Sequence, residues 1–282
     1  MSKFEDYNRV SRNYDDQRYA MGSDVMAALA QFHGRKPLED LHVLDAGCGT
    51  GNYAKAFIEY GVGKVTLLDA SHGMLEKAKE KLSDHISKGK VKNVVEATMP
   101  PLPFPDESFD VVMFTLVLHH LETNPNGKDF PVIEETLREG RRVLKKSGIL
   151  LILSGPTEDV YERLWFVHLN RNICNRHLLH HPQYREWDQL FQNSGLKSVS
   201  YMNVNSDIPS HSLNSLLDPE GPLREEWRNC NSYWASATED ELKDVEAKIN
   251  KMKSQGTLQQ FVKDHDKMNG FYILQLLCAK IA

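Results

Sequence analysis

The chain has 282 residues, 40% hydrophobic and 26% charged, with a formal net charge of −5 at pH 7. That length suits one large α/β domain carrying a sizeable insertion, and an acid excess without a basic block argues against nucleic-acid binding through phosphate contacts. Cys48, Cys174, Cys230 and Cys278 lie far apart with no CxxC pair, so neither a zinc motif nor a disulfide framework is expected. No apolar leader opens the sequence and no run is long enough to span a bilayer. A cytoplasmic monomer with no metal and no membrane partner is the expectation.

Residues 1–22 place Tyr7, Val10 and Tyr14 at spacings that share a helix face, and residues 1–35 read as an N-terminal helical lid, with Tyr14 as a candidate substrate contact. Ser23 reads as the N-cap of a helix whose apolar stripe is Val25, Met26, Leu29 and Phe32. Leu41–Ala46 and Val65–Ala70 are expected as strands, joined by a glycine loop and a helix from Asn52 to Tyr60, the parallel βαβ arrangement. A helix over Met74–Leu82 leads to a third strand, Val91–Ala97. Phe109–Thr115 is apolar enough to be a strand buried on both faces. Ile133–Leu144 reads as a helix that Lys145-Lys146-Ser147-Gly148 ends with cations and a glycine stop, and Ile149–Ser154 as the fifth strand. Strands alternating with helices give a doubly wound parallel sheet. In the second half, Asp159–Asn175 and Trp187–Asn193 look helical and Ser198–Val204 looks like a strand. Residues 206–265 form a polar, largely helical excursion too long for a crossover, expected as a cap insertion before a closing strand at Phe271–Lys280. The core domain is thus expected over 36–205 and 266–282.

The stretch Val43-Leu44-Asp45-Ala46-Gly47-Cys48-Gly49-Thr50-Gly51 carries the chemistry. Glycines at 47, 49 and 51 permit positive φ and let a ligand lie against the backbone. Gly49-x-Gly51-x-x-Ala54 satisfies a dinucleotide pattern, which alone is weak evidence. Asp45 at the strand end favours a ligand with an ammonium group and repels a pyrophosphate. Asp69, at the end of the second strand, can accept hydrogen bonds from ribose hydroxyls. A nucleoside with an ammonium and no pyrophosphate describes S-adenosylmethionine.

These motifs resemble the class I S-adenosylmethionine-dependent methyltransferases. The likeness runs through Val43–Gly51, Leu67–Ser71, the run Leu-Pro-Phe-Pro-Asp-Glu-Ser-Phe-Asp-Val-Val at 102–112, and Arg-Val-Leu-Lys-Lys-Ser-Gly at 142–148. The resemblance implies a Rossmann-like seven-stranded sheet with the last strand antiparallel. It implies that Asp45, Gly47, Gly49 and Gly51 serve the methionyl part, Asp69 the ribose, and Met74 the adenosine. Thr98 and Met99 would flank the adenine, Thr98 standing where many relatives carry Asp, and Thr115 would face the cofactor.

The acceptor is expected to be a small molecule. Enzymes that methylate an exocyclic amino group or a glutamine amide carry Asn/Asp-Pro-Pro-aromatic after the fourth strand, where this chain reads Thr115-Leu116-Val117-Leu118. Gly155-Pro156-Thr157, Tyr161-Glu162-Arg163-Leu164-Trp165, Gly195-Leu196-Lys197 and Asn269 resemble the layout of the histamine N-methyltransferase family. That resemblance implies Tyr161 and Trp165 as aromatic substrate walls and Asn269 as a substrate-contacting, catalytic residue, with His119-His120 replacing a Tyr-Tyr pair. His120 is the candidate proton acceptor, because a nitrogen acceptor must present a free lone pair. The expected activity is methyl transfer to the nitrogen of an amine or imidazole-like compound. O-methylation of a phenol, quinone or carboxylate, or a non-catalytic regulator that binds S-adenosylmethionine, are the alternatives. His177, His180 and His181 have helical spacing, but no paired cluster completes a metal motif.

Overall fold

In a computed structural model the described residues are 20–122, 129–155, 157–207, 217–229, 232–268 and 271–282. Tyr14, Asn269 and most of the expected lid fall outside them. Seven strands form one sheet: β1 (His42–Ala46), β2 (Lys64–Asp69), β3 (Val91–Glu96), β4 (Phe109–Thr115), β5 (Leu144–Ser154), β6 (Leu196–Asp207) and β7 (Phe271–Ile281). Their order is β3-β2-β1-β4-β5-β7-β6. The first five run parallel, and β7 lies antiparallel between β5 and β6. Strand order reverses at β1, with β2 on one side and β4 on the other, so a crevice opens beyond their carboxyl ends.

Alternation along each strand builds two layers. Val43 packs into the layer beneath helices Ser23–Gly34, Asn52–Glu59 and His72–Lys81, while Leu44 and Ala46 face the layer under Pro131–Val143 and Tyr184–Asn193. Every residue of β4 is buried, Asp110 and Thr115 included, as a strand covered on both faces requires. A third cluster stands apart from the sheet. Val160–Cys174, from the excursion between β5 and β6, packs there with Trp227, Tyr233, Trp234, Val245, Ile249, Leu258 and Val262 from the excursion between β6 and β7. Two chain excursions therefore share one cap core.

Three local expectations differ from the structure. Ser23 is the first helical residue rather than the cap; Gly22, at φ 68°, holds that place, and a Cβ on it would come within 2.8 Å of Val204. Lys145–Gly148 does not end a helix but extends β5, which begins at Leu144 directly after the helix. The reason lies in Asp110, whose carboxylate accepts from Lys145 at 2.8 Å, Lys36 at 2.6 Å and the His42 amide at 3.1 Å. Gly148 is needed for close approach: a Cβ there would sit 2.8 Å from the Asp110 carbonyl oxygen. The expected helix over Asp159–Asn175 is broken into Glu158–Tyr161, a 3-10 turn at Trp165–Leu169, and Arg171–Leu178, with Asn170 capping the last by accepting from the Asn172 amide at 3.1 Å.

Candidate cofactor cleft and acceptor side

The loop after β1 is fixed to the end of β2. The amides of Gly47 and Cys48 donate to the Leu68 carbonyl at 2.7 and 3.0 Å, and Gly51 donates to Cys48 at 2.9 Å. Gly47, Gly49 and Gly51 adopt φ of 81°, 52° and 80°, which glycine alone takes without cost. The three have different neighbours. A Cβ on Gly47 would fall 2.4 Å from Val117 and one on Gly51 2.9 Å from Leu82, whereas one on Gly49 would meet nothing within 4 Å.

Asp69 is held from both sides. Its Oδ2 accepts from the Gly49 amide and its Oδ1 from the Ser71 amide, each at 2.8 Å. Burial raises its pKa, and these amide bonds oppose the rise. Ser71 also caps the helix His72–Lys81, its Oγ accepting from the Met74 amide at 3.2 Å, so one turn fixes both the carboxylate and Met74.

These residues open onto a cleft of about 730 Å³ including open solvent, lined by Gly47, Gly49, Asp69, Met74, Thr98, Met99, Thr115 and His120 among others. The expected cofactor residues Asp45 and Gly51 are not in that lining. Asp45 lies behind the loop, fully buried, with neither carboxylate oxygen in a hydrogen bond. Burial, reinforced by the nearby Asp69, pushes its pKa up to about 8, and the Ala54 amide at the helix start holds the rise in check.

Tyr161 and Trp165 are also away from the cleft. Both are buried in the cap core, and Tyr161 Oη lies 2.7 Å from His177 Nε2. Neither lines the cleft, where the expectation had them as walls around a substrate.

Leu116 and Val117 line the cleft, although the sequence marked them only as standing where Asn/Asp-Pro-Pro-aromatic would be. Leu116 has φ 54°, left-handed backbone that a bulky residue rarely adopts, and its amide donates to Leu153 at 2.8 Å. Strand β4 thus ends in a kink that turns Val117 against Gly47 and brings His120 to the cleft. Ser71 belonged to a recognised stretch, and its capping role was readable from the helix that follows it.

The arrangement fits an adenosyl ligand. An anchored carboxylate at the end of β2 can accept from a ribose, open space beside Gly49 leaves room against the backbone, and Leu68, Met74, Ala97 and Met99 offer apolar walls for a base.

Residues 44–152 match the family described as Methyltransferase domain. The ubiquinone/menaquinone biosynthesis C-methyltransferase UbiE of Vibrio vulnificus is 30% identical over 227 residues, covering 72% of this chain and 82% of that protein. The protein of the same name from Vibrio parahaemolyticus is 29% identical over 229 residues, covering 72% and 83%. Among solved structures, a protein described as a methyltransferase from an antibiotic biosynthesis pathway of Anabaena variabilis superposes with a TM-score of 0.65 at 17% identity, covering 94% of this chain and 99% of that one. The YcgJ protein of Bacillus subtilis gives 0.54 at 21% identity, covering 92% and 96%. Fold, cleft and relatives agree: the chain belongs to the class I S-adenosylmethionine-dependent methyltransferases. It is an enzyme of that class, and S-adenosylmethionine is its cofactor.

Proposed function

We propose that this methyltransferase acts on an uncharged small molecule that approaches the cofactor from the side of His120, at a carbon or oxygen made nucleophilic by loss of a proton. One observation carries the reading: His120 is the titratable side chain at the end of the cleft that also borders the cap. The names of the Vibrio relatives, C-methyltransferases of ubiquinone and menaquinone biosynthesis, support a carbon acceptor on a ring of this kind. An amine or imidazole-like acceptor, the expectation from residues 155–269, finds less support. Among the described residues Asp69 is the acid in the cleft lining, and both its oxygens are engaged by loop amides.

S-adenosylmethionine supplies an electrophilic methyl group on a sulfonium. The protein's task is orientation and exclusion of water, since in-line displacement gains most from a fixed attack geometry. Gly47 and Gly49 would hold the methionyl part, Asp69 the ribose, and Met74, Thr98 and Met99 the adenosine. Thr115 would face the sulfonium side. His120 would accept the acceptor's proton as a general base.

An acceptor screen that reads release of S-adenosylhomocysteine over phenols, quinols, enols, amines and imidazoles tests this. Turnover confined to amines or imidazoles would overturn the carbon-or-oxygen reading. Calorimetric binding of S-adenosylmethionine without turnover on any acceptor would instead indicate a regulator.

A further inference from the structure

His120 is carried by one 3-10 turn, Leu118–His120, set between two fixed points. Before it, the Leu116 amide donates to Leu153 at 2.8 Å. After it, the buried carboxylate of Glu122 accepts from the amides of Val132 and Ile133, each at 2.9 Å, where the helix Pro131–Val143 begins. Within the turn the His120 amide donates to Val117 at 2.9 Å. Such bonds fix the path of the backbone; the direction of a side chain has to be set by what packs on it.

That packing comes from the first cap excursion. The helix Arg171–Leu178 runs into a turn in which the His180 and His181 amides donate to His177 and Leu178 at 3.1 and 3.0 Å. The buried ring of His180 donates to the backbone carbonyls of Glu122 and His119. The His181 ring stacks on His119, with centroids 4.4 Å apart and planes 24° from parallel, and His119 lies in turn against His120 at 3.9 Å. Two consecutive residues of the cap thus reach one turn, the first through its backbone and the second through a ring.

His181 is itself seated from behind. Its Nε2 is 3.1 Å from Nε2 of His177, which contacts Tyr161 Oη at 2.7 Å. Gly155 leaves the space: a Cβ there would fall 2.7 Å from Cε1 of His181. The Gly155 carbonyl accepts from Nε2 of Gln275 at 2.9 Å, and Gln275 Oε1 accepts from the Tyr201 hydroxyl at 2.6 Å, so the seat is tied to β7 and β6. Burial, then repulsion between neighbouring imidazoles, holds the pKa of His119 and His181 well below the usual value. Near neutral pH these two rings stack without charge between them.

We propose that His180 and His181 are positioning residues, which hold the turn Leu118–His120 so that the His120 ring stands in the cofactor cleft. The inference rests on the reading above, in which His120 accepts the acceptor's proton. It gives the cap a share in a cleft whose lining contains no cap residue.

The test uses the full chain carrying 13Cε1-labelled histidine, titrated with S-adenosylhomocysteine. In the wild type the His120 resonance is expected to move as the cleft fills. His180→Leu, which cannot donate, should abolish that movement while calorimetric affinity for S-adenosylhomocysteine stays within about twofold, because Gly47, Gly49, Asp69 and Met74 keep their places. His180→Gln, which still offers an N–H, should restore the movement. His181→Phe, which keeps a ring against His119, should retain it, and His181→Ala should not. Turnover of a pool of phenols, quinols, enols, amines and imidazoles, read as release of S-adenosylhomocysteine, should fall about a hundredfold in His180→Leu, with the KM for S-adenosylmethionine unchanged. Gly155→Ala, which displaces His181 from the sheet side, takes the place of His180→Leu if that variant does not fold. A wild-type His120 resonance that stays still, a movement that persists in His180→Leu or Gly155→Ala, or a loss in His180→Gln equal to that in His180→Leu would overturn the positioning. Undiminished turnover in His120→Phe would overturn the proton-acceptor reading alone, since the resonances report the positioning independently.

Discussion

Gly47 and Gly49 differ in what surrounds them, and substitution should separate two effects. Gly47→Ala drives a Cβ into Val117 at 2.4 Å on top of an unfavourable φ of 81°. The strain alone is on the order of 1–3 kcal/mol, so this variant should lose thermal stability and cofactor binding together. Gly49→Ala meets no neighbour within 4 Å. It should unfold only slightly earlier, yet bind S-adenosylmethionine more weakly because the new methyl group occupies the cleft. Thermal melts paired with calorimetry distinguish the two; equal losses of stability would contradict the assignment. The positive-φ backbone of these glycines was legible as sequence, because each follows an apolar strand and an acid at fixed spacing. Leu116 was not. Its left-handed backbone follows from the way β4 leaves the sheet beside Leu153, a tertiary demand imposed on a residue whose type argues against it.

Among the elements, the segment Leu102–Asp106 shows how a loop becomes part of a binding site. Arg142 donates to the carbonyls of Leu102 and Phe104 at 2.8 Å each and to Asp106 at 2.7 Å. Glu139 binds Arg142 through both oxygens and accepts from the Leu102 amide at 2.8 Å. This clamp on the helix Pro131–Val143 fixes the chain that carries Thr98 and Met99 into the cleft. Lysine cannot reproduce the planar fork. Arg142→Lys should therefore weaken S-adenosylmethionine binding about tenfold, roughly 1.4 kcal/mol, with kcat at saturating cofactor little changed. Unaltered affinity would show that the clamp is independent of the cleft.

The same scale explains which elements the sequence disclosed. Phe109–Thr115 was bounded correctly because a fully buried strand reads as a mostly apolar run, here broken only by Asp110 before the closing Thr115. Lys145–Gly148 was misread because cations followed by glycine have the same composition at a helix end as in a strand that pairs with a buried aspartate. The histidines at 177, 180 and 181 were visible as a helical pattern, but His119 and Tyr161 reach them only through folding, so their packing together had no sequence signature.

Across the whole molecule, buried titrating groups set the pH range of stability. The unfolded chain binds protons at its histidines below about pH 6.5, while His177 in the folded state resists protonation down to about 3 and His119 and His181 stay well below the usual value. In that window the unfolded state holds more protons, so stability falls as the pH is lowered through it. Asp45 works in the opposite sense, holding a proton up to about pH 8 and withdrawing stability as the pH rises towards that value. The melting temperature should thus drop between pH 6.5 and 4.5, and less steeply in His177→Gln. Parallel profiles for the two proteins would contradict this. Within the described residues no helix is long and apolar enough to cross a membrane.

The placement of β7 has a consequence for biosynthesis. Strand β6 pairs with β7 alone, and β7 separates it from β5. A ribosome delivers β6 more than sixty residues before the strand that receives it, so β6 emerges with both edges unsatisfied and β5 with one. Unpaired strand edges invite aggregation. The half of the sheet that holds the cofactor is complete by residue 154, while the half that supports the cap waits for residues 271–281. Nascent chains of this enzyme pass through a stage at which the first five strands can pair and β6 cannot.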